Sequence, residues 1–323
     1  MLRFGTVVVP LDGSVESGRA LPVAVRLAGV WDAPIELVRV HVPPPRYGVA
    51  PVIDRVFDAD VAKSDMAMLR ATAQRLASEH GIAVTAHQLD GQPAIALAAH
   101  VDERRDAFVV MSSHGRGGLN RLWLGSVTDA FIRHSRSPVL VIPGRKPEAD
   151  NDPPALPFRR ILVPVDGSRF AKRVIDVACA FATAPDTELH LVRVLEPLPM
   201  MEPFPDLAAV IERKRATEAV AEQGQRALAD LERVGRSLGR PPGTVRTHVA
   251  LSSRTAAELL AYIQANDIDL VAIATHGRGG LARAALGSVA DKVVRGAGVP
   301  VVVFRPAAGR PPRPGGVRRR AAS

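Results

Sequence analysis

The chain has 323 residues, about two domains' worth at ~150 residues each, and is 47% apolar, too much for a disordered polymer. An aromatic content of 4% argues against stacking platforms for single-stranded nucleic acid, no apolar run nears the ~20 residues that span a bilayer, and a single cysteine, Cys179, excludes an intrachain disulfide. The formal charge of +9 includes five arginines near the C-terminus (Arg310, Arg313, Arg318, Arg319 and Arg320), so the remainder carries +4 and nucleic acid is not an expected partner.

The first strand is expected over residues 4–10, a β-branched run that stops at a Pro-x-Asp-Gly-Ser turn. Pro10, Asp12 and Gly13 also deny this start the layout of a signal peptide, so a soluble cytoplasmic protein without a membrane partner is expected. Ser14 caps a single helix whose apolar positions Leu21, Ala24, Val25 and Ala28 recur at three and four residues. Residues 35–42 read as a second strand, and the prolines at 43–45 open a loop. A long helix follows over 55–79, then a strand over 82–89 and a helix over 94–103. Residues 107–111 are wholly apolar, as in a strand buried on both faces. A glycine-rich loop, a helix from Ser126 and a strand over 138–142 complete the series.

The series then repeats. Pro10-Leu11-Asp12-Gly13-Ser14 returns 154 residues later as Pro164-Val165-Asp166-Gly167-Ser168. His114-Gly115-Arg116-Gly117-Gly118-Leu119 returns letter for letter 162 residues later as His276-Gly277-Arg278-Gly279-Gly280-Leu281. Leu124-Gly125-Ser126-Val127 does the same as Leu286-Gly287-Ser288-Val289. The difference of eight residues predicts an insertion in the long helical stretch of the second copy, around 207–238. Residues 144–157 are polar and proline-rich, which divides the chain into domains of 1–150 and 151–306. Residues 307–323, rich in Arg, Pro and Gly, read as a disordered basic tail. Strand–helix alternation with buried strands gives an α/β fold: two tandem doubly wound domains, each a mainly parallel five-stranded sheet with helices on both faces.

In such sheets ligands bind beyond the carboxyl ends of the strands, where the strand order switches. The end of the first strand, with Asp12 or Asp166, should there meet the loop after the fourth, with its glycines. Glycine lets backbone approach a ligand closely, and a helix starting at Ser126 or Ser288 offers unpaired N–H groups and a positive dipole end to a phosphate. Arg116 and Arg121, repeated as Arg278 and Arg283, add positive charge. Plainer readings stand beside these. Ser126-x-x-Asp129 and Ser288-x-x-Asp291 have the form of capping boxes, and Asp12 and Asp166 the form of Asx turns. His114 and His276 fit hydrogen bonding within the loop better than catalysis, and Cys179 fits buried packing better than redox sensing.

The segment HGRGGLNRLWLGSVTDAFIRHSRSPVLVIP resembles the carboxyl half of a universal stress protein domain. Gly115, nine residues, Gly125-Ser126 and Gly277, nine residues, Gly287-Ser288 are similar to that family's ATP-binding pattern, and VVVPLDGS and ILVPVDGS to its first strand and turn. The resemblance covers both copies and implies an adenine nucleotide alpha hydrolase-like fold that binds ATP, with or without Mg²⁺. Carried over by position, Pro10, Leu11, Asp12 and Val40 flank adenine and ribose. Met111, Gly115 and Arg116 border ribose and phosphates, and Gly125, Ser126 and Val127 hold the phosphates. The second site takes Pro164, Val165, Asp166, Val194, Ile273, Gly277, Arg278, Gly287, Ser288 and Val289. The family's first glycine is Ser112 here in one copy and Ala274 in the other, and either side chain narrows the approach.

A nucleotide-binding stress sensor or regulator is therefore expected. A slow ATP hydrolase and a nucleotide-free interaction scaffold are the alternatives. The P-loop pattern and the protein-kinase motif set are absent from the sequence, so no dedicated catalyst is expected. The last strands, 138–142 and 300–304, are short, apolar and expected at sheet edges. The family pairs chains through this strand, which implies a pseudo-dimer of the two copies and a homodimer through the last-strand edges.

Overall fold

A computed structural model describes residues 2–43, 51–104, 106–113, 124–144, 156–168, 171–197, 207–275 and 286–305, with backbone alone for 51–57 and 207–216. The boundary near residue 151 and the tail at 307–323 lie outside the described residues. The first half runs β1 (Thr6–Pro10), α1 (Val15–Gly18), α2 (Ala20–Trp31), β2 (Ile35–His41), α3 (Pro51–His80), β3 (Val84–Asp90), α4 (Pro93–Asp102), β4 (Ala107–Ser112), α5 (Ser126–His134) and β5 (Val139–Ile142). The second runs β6 (Arg160–Pro164), α6 (Ala171–Phe181), β7 (Glu188–Leu195), α7 (Leu207–Ser237), β8 (Val245–Leu251), α8 (Thr255–Ala265), β9 (Leu270–Ala274), α9 (Ser288–Gly296) and β10 (Val301–Phe304).

One expected helix is two. Pro22 has no N–H to give the carbonyl of Gly18, and its ring crowds that carbonyl, so the helix that Ser14 starts cannot run on. Ser14 Oγ accepts from Ser17 N at 3.1 Å, α1 ends at Gly18, and α2 starts afresh after Arg19. The eight-residue insertion is also more spread out than a single break in the helix. Strands β1 and β6 keep the 154 offset through β2 and β7, where Pro10 faces Val38 and Pro164 faces Val192. The left-handed glycines that close the long helices, Gly81 and Gly239, are 158 apart. His87 and His248, which face those valines from the next strand, are 161 apart. Four residues therefore enter before the helix ends, three in the turn after it, and one beyond β8.

The ten strands form a single sheet, in the order β3-β2-β1-β4-β5-β10-β9-β6-β7-β8. Each half contributes five parallel strands, and the halves join where β5 and β10 pair antiparallel, with Leu140 opposite Val302. The pseudo-dimer is thus a continuous sheet. This corrects the expectation that the last strands are free edges for a homodimer: β5 lies between β4 and β10, and β10 between β5 and β9. Their backbone groups are spent inside the chain, and the outer edges are β3 and β8.

Helices cover both faces. On one, α2, α3, α6 and α7 bury Leu27, Leu76, Ile175 and Leu231 against the sheet face that carries Val7, Leu37, Phe108 and Ile161. On the other, α4, α5, α8 and α9 bury Leu97, Phe131, Leu259 and Val293. All six side chains of β4 are buried, as its apolar run predicts. Across the seam Trp31 packs on Phe108 at 5.1 Å and on Phe181 of the other half at 5.4 Å. Its indole N–H donates to the carbonyl of Ala180 at 3.1 Å. On the opposite face Asp129 binds Arg133 of its own helix and, at 3.5 Å, Arg295 of α9. Arg305 donates to the carbonyl of Arg133. Cys179 is partly buried on α6, and burial pushes its thiol pKa up, as a packing role requires.

Candidate functional site at the strand ends

The order of strands switches between β1 and β4 in the first half and between β6 and β9 in the second. At the second switch point a cleft of about 690 Å³ opens between the ends of β6, β7 and β9, the start of α9, and the flank of α7. Pro164, Val165, Asp166, Val194, Ile273, Gly287, Ser288 and Val289 all line it. Gly277 and Arg278, the other residues expected there, lie outside the described residues, as do Arg283 and His276. Ala274, which replaces the family's first glycine, lines the cleft too.

Local chemistry sets these positions. Thr275 follows β9 and is held by its N–H on the carbonyl of Phe304 at 2.9 Å. Its own carbonyl takes the N–H of Gly287 at 2.8 Å, which fixes where α9 begins. Only glycine fits there, because a Cβ on Gly287 would stand 2.7 Å from that carbonyl oxygen. Gly287 is the N-cap and no side chain caps the helix. The first helical bond runs from Asp291 N to the carbonyl of Gly287 at 2.9 Å. The N–H groups of Ser288, Val289 and Ala290 thus precede the helical ladder at the cleft wall, with the positive end of the dipole behind them.

The first half repeats this frame. Gly125 N donates to the carbonyl of Ser113, and Thr128 Oγ1 donates to the carbonyl of Ser112 at 3.0 Å. Pro10 ends β1, Leu11 donates its N–H to the carbonyl of Val38, Val40 and Met111 stand near the ends of β2 and β4, and Ser126 and Val127 open α5. Gly115, Arg116, Arg121 and His114 lie outside the described residues. The capping-box reading does not hold in either half. Ser126 and Ser288 are the first helical residues rather than caps, and Asp129 and Asp291 bind Arg133 and Arg295. The Asx reading does hold for one oxygen of each aspartate. Asp12 Oδ1 accepts from Ser14 N at 2.9 Å, and Asp166 Oδ1 accepts from Ser168 N at 2.9 Å.

Several cleft residues were not singled out in the sequence: Ser168, Arg193, Glu196, Gln223, Thr255 and Thr275. Arg193 had a signal, because Val38-Arg39-Val40 repeats as Val192-Arg193-Val194 at the strand-end offset of 154. Gln223 had none, since it reaches the cleft from a helix remote in sequence. Away from the cleft, near the start of β7, His190 bonds Tyr262 of α8 at 3.0 Å and Glu188 at 3.1 Å. Burial lowers the His190 pKa, and the Glu188 carboxylate only partly opposes this. Among the described residues, no group of three or more His, Cys, Asp or Glu is arranged to hold a metal, and no helix is long and apolar enough to cross a membrane.

The fold and the site define a duplicated, doubly wound α/β protein with a cleft at its topological switch point. The model of the universal stress protein family matches residues 3–143 and 157–305, and the chain belongs to that family. A universal stress protein of Mycobacterium tuberculosis is 29% identical over 311 residues, 93% of this chain and 96% of its own length. One of Mycolicibacterium smegmatis is 28% identical over 305 residues, 93% and 97% of the two chains. The crystal structure of a universal stress protein from Archaeoglobus fulgidus shares the fold, with a TM-score of 0.65, 21% identity and coverage of 93% and 98%.

Proposed function

We propose that the chain binds an adenine nucleotide, ATP foremost, at its strand-end cleft and acts as a stress-response sensor or regulator. The observation that carries this reading is the convergence on one cleft of the end of β6, the end of β7 and the bare N-terminus of α9. Val165, Val194 and Ile273 offer an apolar bed for a base, and the N–H groups of Ser288, Val289 and Ala290 suit phosphate oxygens. A cleft of about 690 Å³ is within the usual range for ligands of nucleotide size. Any Mg²⁺ would arrive on the phosphates, because a hard cation of this kind leans on substrate oxygens and few carboxylates. The reading is of a binder rather than a dedicated catalyst. Of the two carboxylates that line the cleft among the described residues, Asp166 already uses Oδ1 on the Ser168 N–H, and Glu196 is exposed beyond the end of β7.

The test is to denature the purified protein, separate the released small molecules and identify them, then to measure ATP binding to the emptied and refolded chain by equilibrium dialysis. Bound or rebound ATP supports the reading. Conversion to ADP during dialysis would make it a hydrolase. A chain that carries and binds no nucleotide would be an interaction scaffold, and the proposal would be wrong.

A further inference from the structure

The cleft has a wall that the nucleotide reading does not use. From α8, Thr255 and Leu259 line it. Leu259 is buried in the core layer beneath α8, with Ile263 one turn further on. Thr255, half-buried, lies one turn before Leu259 on the same helix face, so the spacing that sinks Leu259 and Ile263 into the core brings Thr255 to the cleft. A threonine inside a helix can turn its hydroxyl back to the carbonyl four residues earlier. Thr255 is the first residue of α8, and four residues earlier stands Leu251, the last of β8. Its Oγ1 makes no hydrogen bond to any of the described residues.

Helices α8 and α9 reach the cleft from opposite sides. The strand order here is β9-β6-β7-β8. Helix α9 begins beside β9, on the carbonyl of Thr275. Helix α8 begins beyond β8, whose end is tied to β7 by the N–H of Ser252 on the carbonyl of Leu195 at 2.9 Å. Strands lie ~4.8 Å apart, so the three steps from β9 to β8 separate the two helix starts by roughly 14 Å. A ligand whose phosphates meet Ser288, Val289 and Ala290 therefore extends its nucleoside away from α9, over Ile273, Val165 and Val194, toward Thr255. At the matching place in the first half, 162 residues earlier, Pro93 opens α4, and Leu97, which matches Leu259, is buried in the same layer. Proline at a helix start fixes φ and brings no side-chain donor or acceptor, so the hydroxyl is peculiar to the second half.

Resting on the nucleotide reading above, we infer that Thr255 is a ligand-binding residue of the second half's cleft: its hydroxyl bonds the nucleoside end of the nucleotide, at the base edge or a sugar hydroxyl, and so fixes which way the ligand lies. A hydroxyl both donates and accepts, so it suits either group, whereas the apolar bed of Val165, Val194 and Ile273 grips a base without reading it. The phosphates are left to the start of α9.

Equilibrium dialysis of the full chain with ATP, alongside urea unfolding, tests this. Thr255→Val keeps the shape of the side chain and removes the hydroxyl. It should weaken one equivalent of bound ATP at least ~threefold, within what one neutral hydrogen bond contributes, and leave the urea midpoint unchanged. Thr255→Ser should stay within twofold of the unaltered chain. The same measurements with 2′,3′-dideoxyATP separate the two contacts: a loss for both nucleotides places the hydroxyl on the base, and a loss for ATP alone places it on the sugar. A smaller effect of Thr255→Val, a lower urea midpoint accompanying it, or a Thr255→Ser variant outside twofold would overturn the inference and spare the nucleotide reading. No ATP bound by the unaltered chain would defeat both.

Discussion

Gly287 is the position where packing and ligand binding are most tightly joined. Its φ of −60° and ψ of 147° suit any residue, so Gly287→Ala tests contact rather than backbone strain. The new methyl would stand 2.7 Å from the Thr275 carbonyl oxygen, against the 3.4 Å at which ordinary contact begins, so something must give by about 0.7 Å. Thr275 is pinned by its own bond to Phe304, which leaves the start of α9 to move. The far end of α9 resists, because Gly296 sits close under Leu260 of α8. Overpacking of this kind costs about 1–3 kcal/mol, readable as a lower urea midpoint. The displaced N–H groups of Ser288, Val289 and Ala290 should also cost at least tenfold in ATP affinity, or about 1.4 kcal/mol. The assay is urea unfolding and equilibrium dialysis on the same preparation. Unchanged stability would refute the packing argument. Lower stability with unchanged affinity would refute the role of this helix start in holding phosphates.

Trp31→Phe should destabilise the whole molecule by about 1–3 kcal/mol. The Ala180 carbonyl, at the end of α6 where no helical donor follows, loses its one recorded donor inside a buried seam. Urea unfolding should remain a single transition, and two transitions with only one shifted would show that the halves are energetically separate. Leu140→Pro should break the seam inside the chain: it removes an N–H from a strand paired on both sides and costs at least ~3 kcal/mol. A soluble variant with an unchanged midpoint would contradict the β5–β10 pairing. His190 gives a pH dependence. Burial lowers its pKa in the folded protein below the ordinary 6.5, so the unfolded chain takes up the proton first. Its contribution is therefore full above about 6.5 and is lost as pH falls below that. His190→Gln should flatten the difference between urea midpoints at pH 7.5 and 5.5, and an undiminished difference would assign it to other groups.

Much of the fold was legible because it rests on short-range patterns. The apolar run of β4, the glycine-serine helix starts and the 154 and 162 offsets each depend on residues close in sequence, and the structure places them as read. The join was less so. The run from Val139 to Ile142 is apolar whether it lies at an edge or between two strands, so its sequence could not say that β10 covers it. Pro22 was present in the first helix, but apolar spacing outweighed it, although a missing N–H is decisive within a helix.

The site shows a subtler limit. The repeat of Val-Arg-Val at the ends of β2 and β7 invites the conclusion that two equal motifs make two equal sites. What an arginine does at that place depends on the helix residue opposite, and the helices do not share the strands' offset. Gly81 and Gly239 are 158 apart, midway in an insertion that begins at 154 and ends at 162, so no single alignment of the motifs sets Asp65 against Gln223. One turn of register in a helix, invisible in the motifs, changes which helix residue meets the arginine: Arg39 pairs with Asp65 at 2.7 Å, whereas Arg193 reaches Asp230 at 3.8 Å. Duplicated domains can therefore keep the signatures of the family while the side chains around those signatures differ, and the differences belong on the elements whose spacing has drifted.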